Sequence, residues 1–285
     1  MIKKIAAIHD LSSYGRASLT VAIPILSYMG FQVCPLPTAV LSAHSEYQNY
    51  RCTDLTDHMV GTLEHWKELN LSFDALYSGY LASERQMEVV KSLFRDFKTE
   101  NNFILVDPVL GDNHKLYSSL NVEMIKGMRE LCSISDIITP NMTEAAFLLD
   151  EDPSCEFTEE LSLLWCKRLC DLGPKHSIIT SAPANDNTKL VTLAHSKESD
   201  RTWRIENDYV PASYPGTGDA FASVMTGSIL KGDSIPEAIE RAVKFIKMGI
   251  RATYGHEHNP LNGINQEKAL CYLNETLSSF SYQEL

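Results

Sequence analysis

No stretch of 18 consecutive apolar residues occurs anywhere in the 285-residue chain, which excludes by pattern a helix that spans a bilayer. The opening "MIKKIAAIHD" has too short an apolar part for a secretory signal. Positive charge is scarce: 25 Lys and Arg face 37 Asp and Glu, a formal −12 at pH 7. That balance argues against general nucleic-acid or anionic-membrane binding and leaves room only for a local site toward a phosphorylated ligand. The seven cysteines are odd in number and form no C-x-x-C pair, so they read as reduced thiols of a cytoplasmic protein. Cys166 and Cys170, four apart on an expected helix, read as core packing rather than metal ligands. Low-complexity tracts, linkers and internal repeats are missing too, so residues 1–285 read as one domain with ample material for a core. G-x-x-x-x-G-K-[ST] is absent, and so is the Gly-rich loop, HRD and DFG set of protein kinases.

What the chain does have is alternation. Short β-type runs at 4–9, 31–39, 73–79, 103–107, 136–140 and 176–181 are separated by helical patterns at 17–29, 53–69, 84–99, 119–132, 142–149 and 158–172. This rhythm predicts right-handed crossovers and an α/β fold of three layers, a mainly parallel central sheet flanked by helices. Residues 188–209 break the rhythm and read as an antiparallel hairpin, followed by helices at 218–231 and 235–252 and a weaker one at 265–276.

Open parallel sheets gather ligands beyond the carboxyl ends of their strands. Polar residues collect at those ends here: "HDLSSYGRAS" after the first strand, "LSAHSEY" after the second, then "SGYLAS", "DPVLGD", "TPNMTEA" and "ITSAPAN". The stretch 215–221, "PGTGDAF", runs directly into a helix-compatible segment. Its glycines permit backbone geometry closed to other residues, and unpaired amides at a helix start hold anions, phosphates above all. Asp219 sits oddly there, since it repels the phosphate the amides attract. It is either a helix cap or a base beside a phosphoryl group. In the second reading the GTGD amides replace a P-loop, Asp219 accepts an alcohol proton, and Asp107 and Glu144 are acidic partners whose hard oxygens suit Mg²⁺.

Together "VDPVLGD" (106–112), "TPNMTEA" (139–145) and "PGTGDAF" (215–221) resemble the ribokinase-like superfamily in its vitamin-kinase branch. With "LSAHSEY" (41–47) and "SGYLAS" (78–83) added, the chain is similar to the pyridoxal kinases from about residue 4 to residue 255. The resemblance implies that Asp219 is the catalytic base and that the Gly216, Thr217 and Gly218 amides form the anion hole. Asp107 and Glu144 would organise Mg²⁺ and the phosphates, with Asn141 and Thr180 along the ATP phosphates. Asp10, Ser45 and Tyr80 would line the vitamin pocket, and "VPASY" (210–214) would border the nucleotide. ATP is the implied co-substrate, a B6 vitamer the small-molecule partner, a monovalent cation a further expectation, and a homodimer the implied assembly. Neither nucleic acid nor membrane is an expected partner.

Plainer readings stand beside these. Asp107 before Pro108 can simply end a strand, Tyr80 can be a half-buried aromatic, and Asp10 a turn or capping residue. Ser45 has no local signal apart from its motif. His9 and His44 read as satisfied structural histidines, and "HEH" (256–258) as a polar turn rather than a metal tract. Asp10 also departs from the pattern, because better-known pyridoxal kinases carry serine there while hydroxymethylpyrimidine kinases carry an acid. Asp219 points the other way, since many of the latter have cysteine at that position. The alternatives are therefore a hydroxymethylpyrimidine kinase and a non-catalytic vitamin- or nucleotide-binding protein of the same fold.

Overall fold

The computed structural model describes residues 2–186, 188–210, 212–256, 259–275 and 281–285. The strands are β1 (Lys4–Ser12), β2 (Gln32–Leu41), β3 (Cys52–Asp54), β4 (Ala75–Ser78), β5 (Phe103–Val106), β6 (Gly111–Asp112), β7 (Lys115–Leu116), β8 (Ile137–Ile138), β9 (His176–Pro183), β10 (Lys189–Ser196), β11 (Arg201–Asp208) and β12 (Gln283–Glu284). The helices are α1 (Leu19–Tyr28), α2 (Thr56–Glu68), α3 (Glu84–Phe97), α4 (Val122–Ser133), α5 (Met142–Leu149), α6 (Glu159–Asp171), α7 (Thr217–Lys231), α8 (Ile235–Thr253) and α9 (Gln266–Ala269).

Ten strands form one sheet in the order β12-β11-β10-β9-β8-β5-β4-β1-β2-β3. The run from β9 through β2 is parallel, and antiparallel strands flank it at both ends. Alternate residues of the central strands feed two separate cores. Ala6, Ile8, Leu76, Ile104 and Val106 face α2 to α6, where Met59, Phe94, Met128, Leu148 and Trp165 meet them. Ile5, Ala75, Tyr77 and Leu105 face α1, α7 and α8 through Ile25, Phe221, Met225 and Phe245. Burial on both faces is why these strands read as continuous apolar runs. Pro35 and Pro37 are tolerated in β2 because β3 covers only Ala39–Leu41, leaving the earlier part of β2 an edge that needs no donor.

The expected three-layer α/β architecture is present, and the hairpin of 188–209 is β10–β11. Four small strands escaped the sequence reading. All of β3 and β12 is exposed, so neither carries apolar alternation. The β6–β7 ladder turns through Asn113 and His114, both at positive φ, without the glycine that usually marks such a turn. The weak helix at 265–276 is one turn of α9 followed by 3₁₀ turns at Leu270–Asn274, where Leu270 and Leu273 stack at three-residue spacing.

One buried amide fastens the ligand end of the sheet. Gln86, on α3, donates from Nε2 to the Thr38 carbonyl (2.9 Å), Asp54 Oδ2 (2.9 Å) and Thr56 Oγ1 (3.2 Å), and accepts from the Ala82 amide (2.8 Å). Replacement by an apolar residue leaves the Thr38 carbonyl without that donor. Gln86→Leu is expected to cost roughly 2–3 kcal/mol in denaturant unfolding. A loss under about 0.5 kcal/mol, the range of ordinary surface changes, would contradict the assignment.

Candidate active site

The loop before α7 explains itself from Gly216. Its φ is 77°, and a Cβ there would lie 2.2 Å from the Arg16 carbonyl oxygen, so only glycine fits. The turn lets α7 begin at Thr217 with its first amides free of helix partners. Thr217 Oγ1 donates to the Tyr214 carbonyl (3.0 Å), which fixes the entry of the chain. A Cβ on Gly218 would have Asp107 Oδ2 as its nearest neighbour, 3.8 Å away. Asp219, in the first turn of α7, is 13% exposed at its side chain.

The carboxylate of Asp219 is held from below. Its Oδ2 accepts the Ser18 amide at 2.8 Å, and its own carbonyl accepts the Tyr77 hydroxyl at 3.3 Å. Ser18 is the N-cap of α1, yet it lies at φ 55°, a conformation rarely adopted by a non-glycine residue. From there its hydroxyl donates to Asp10 Oδ1 (2.5 Å), while Ser12 donates to Asp10 Oδ2 (3.2 Å). Ser18 thus joins the first loop to the start of α7 and keeps two carboxylates in register. Non-glycine residues in such conformations concentrate at functional sites.

Asp107 follows β5, is 6% exposed, and accepts the Thr139 hydroxyl at 3.0 Å. Asn141 caps α5 in a capping box: its side chain accepts the Glu144 amide, and Glu144 Oε2 accepts the Asn141 amide, each at 2.9 Å. The rest of the Asn141 carboxamide donates to the Gly111 carbonyl (2.9 Å), and Glu144 Oε1 accepts the Leu110 amide (3.2 Å). Thr180 lies alongside as the bridge partner of Asn141.

Burial dominates the electrostatics. It pushes Asp219 up to about 6, with the Ser18 amide opposing and the Asp10 charge adding. Asp107 is raised by burial and then by the Asp219 charge, and Glu144 by burial and then by Asp107. The charges acting most strongly on these three are all carboxylates. A site of buried acids that repel one another fits a bound divalent cation. Among the described residues no three His, Cys, Asp or Glu side chains converge as a metal cage.

The remaining expected residues are less uniform. Tyr80 is half-buried beyond β4, its hydroxyl donating to Ser119 Oγ (3.1 Å), and the Asp10 charge reaches it. Asp10 is 4% exposed, with both oxygens already bonded to serine hydroxyls. Ser45 is exposed on the loop after β2 and makes no side-chain hydrogen bond to the other site residues. His44 is the bonded structural histidine expected, its Nε2 2.5 Å from the Leu261 carbonyl. His9 is not: neither ring nitrogen has a hydrogen-bond partner among the described residues, and the ring lies against Tyr77 and Gly79. Of "HEH", His256 is exposed and residues 257 and 258 lie outside the described residues, as does Pro211 of "VPASY". Ser18, Tyr77 and Thr139 were missed, and only their nearness to expected strand ends hinted at them.

A parallel sheet with a glycine-turned helix start over a buried aspartate defines a kinase of the ribokinase-like type. The chain belongs to the phosphomethylpyrimidine kinase family, whose pattern matches residues 26–262. It is 28% identical to a pyridoxal kinase of Dictyostelium discoideum, over 94% of this chain and 91% of that one. A Bacteroides thetaiotaomicron protein classed as a phosphomethylpyrimidine kinase, solved in an orthorhombic form with pyridoxal, superimposes with a TM-score of 0.96 at 48% identity and 100% coverage of both chains. The pyridoxal kinase of Lactobacillus plantarum gives 0.86 at 26% identity, covering 96% of this chain and 97% of that one. Among the described residues no helix is long and apolar enough to cross a membrane.

In the reading of Asp219 as a catalytic base, its carboxyl group must be ionised to accept a proton. With Asp219 raised to about 6, its charged form is lost as pH falls through that value. Turnover is therefore expected to rise with pH through an acid limb near pH 6, read from kcat/KM between pH 5 and 8. A flat profile down to pH 5 would contradict the role.

Proposed function

We propose that this kinase transfers the γ-phosphoryl group of ATP to the 5′-hydroxymethyl group of a vitamin B6 vitamer, as in salvage toward pyridoxal 5′-phosphate. The observation that carries the reading is the 48%-identical protein, matched over its whole length, whose crystals hold pyridoxal. The site chemistry agrees with it. Asp219 accepts the hydroxyl proton as the substrate oxygen bonds to the γ-phosphorus and the bond to the β-phosphate bridging oxygen breaks, releasing ADP. The amides of Gly216, Thr217 and Gly218 face the charge that accumulates on the transferred group. Intact Asp219 also argues against a binding module, which has no use for a base.

Asp107 and Glu144 would hold Mg²⁺, Glu144 through water because both its oxygens already accept backbone amides. When bound, the ion supplies charge neutralisation at the phosphates. Asn141 and Thr180 form the nucleotide side, Asn141 chiefly by fixing the start of α5. Asp10, Tyr80 and Ser45 would border the ring, Ser45 from the exposed loop after β2. A monovalent cation and a homodimer complete the reading as the pyridoxal kinase resemblance implies them, and a cytoplasmic setting follows from the reading of the seven cysteines as reduced thiols.

Hydroxymethylpyrimidine is the competing alcohol, favoured by the family's name and by the acid at position 10. A site built around polar ring substituents discriminates strongly against analogues that leave its groups unpaired. Steady-state assays with pyridoxal, pyridoxine, pyridoxamine and hydroxymethylpyrimidine are expected to show at least one vitamer ahead in kcat/KM by about tenfold or more. Tyr80→Ala is expected to raise KM for the vitamer more than for ATP. If hydroxymethylpyrimidine is the best substrate, the vitamin B6 assignment is wrong.

A further inference from the structure

His9 is fully buried on β1, and neither imidazole nitrogen has a hydrogen-bond partner among the described residues. Burial of this kind is costly, and an unpartnered buried polar group in a native fold calls for an explanation. The sequence expectation of a satisfied core histidine does not supply one.

The surroundings do. Nδ1 of His9 lies 3.8 Å from Asp219 Oδ1, the oxygen that the Ser18 amide does not occupy. The ring meets Tyr77 edge-on, with centroids 4.3 Å apart, and the Tyr77 hydroxyl bonds the Asp219 carbonyl. At position 79 a Cβ would stand 2.2 Å from His9 Nδ1, so the glycine of "SGY" leaves room for the imidazole. Gly79 also donates its amide to the Ile8 carbonyl, which keeps the two strand ends level. Tyr77 and Gly79 at the end of β4 therefore accommodate one ring beside one carboxylate oxygen of α7. Burial keeps the imidazole neutral, pushing it down to about 3, so it carries a single N–H. Catalytic hydrogen bonds often start long and tighten when substrate binds.

We propose that His9 is a positioning residue: its neutral imidazole carries the proton on Nδ1 and donates it to Asp219 Oδ1, fixing the carboxylate rotamer while Oδ2 is held by Ser18. The inference rests on the reading of Asp219 as the base. Of the two oxygens, Ser18 holds one through the backbone and His9 steers the other through its side chain. In the proposed state the separation of Nδ1 and Oδ1 narrows from 3.8 Å to ordinary hydrogen-bond length, about 2.7–3.2 Å.

Two measurements test it on the full chain. In ¹⁵N-histidine-labelled protein, with the His9 signal assigned by its loss in His9→Asn, the ring is expected to be neutral with the proton on Nδ1 between pH 6 and 8. A proton on Nε2, or a charged ring, overturns the proposal. In steady-state assays His9→Leu is expected to lower kcat by about 10- to 100-fold, the usual worth of a hydrogen bond to a charged group, with KM for both substrates little changed. His9→Asn, whose amide places a donor near the site of Nδ1, is expected to recover most of that loss. Equal failure of the Leu and Asn variants at matched thermal stability, or wild-type kcat in His9→Leu, overturns it. The tautomer measurement needs no turnover. It decides the hydrogen bond even if Asp219 proves not to be the base, or if His9→Leu does not fold.

Discussion

The site depends on keeping several carboxylates out of water with no lysine or arginine among their strongest electrostatic neighbours. Isolated buried carboxylates are costly unless bonded or neutralised. Here the compensation is made largely of backbone. The Ser18 amide holds Asp219, and the Leu110 and Asn141 amides hold Glu144. The starts of α5 and α7 lie at the same end of the sheet, and helix N-termini favour negative charge. What they leave uncompensated is repulsion between Asp107 and its neighbours, which burial sharpens. In the proposed reading a bound divalent cation would offset it. Mutual repulsion of the buried acids is thus the property that the proposed metal–nucleotide binding would use.

Holding those amides in place is the task of the loops. Gly216 exists because the Arg16 backbone crosses directly above it. Arg16 is fastened in turn: its amide and guanidinium donate to the Asn262 carbonyl, and its side chain pairs with Glu267. Tyr47 donates to Asn262 Oδ1 at 2.6 Å, and His44 meets the Leu261 carbonyl. Residues 261–267, far from the motifs in sequence, thereby lock the loops after β1 and β2 to the start of α7. Distance along the chain conceals this strut, since nothing local to residues 261–267 marks it.

The legible part of the molecule is the part governed by local pattern. Strand runs such as residues 103–106 and helices such as 142–149 were readable because burial on both sheet faces and capping boxes leave their mark in the sequence. The glycine before α7 was readable for the same reason, since φ at Gly216 permits little else. Contacts made by backbone atoms were not. No residue preference announces that the amide of Ser18 will reach Asp219, or that Ser18 will sit at φ 55°. Short exposed strands such as Cys52–Asp54 carry no apolar signal at all. His9 was misjudged because a histidine in an apolar strand is ordinarily bonded, and its pairing with Asp219 depends on a glycine 70 residues away in sequence, at position 79.

The account stands or falls on Asp219. The most direct measurement is turnover of Asp219→Asn with its preferred vitamer, alongside nucleotide affinity by calorimetry. Loss of general-base assistance is worth about 10²- to 10⁴-fold in rate, so kcat is expected to fall by at least that lower figure. Nucleotide binding should be retained or slightly tightened, because a negative charge beside the γ-phosphate is removed. A variant that keeps more than about a tenth of wild-type kcat would contradict the assignment of Asp219 as the base.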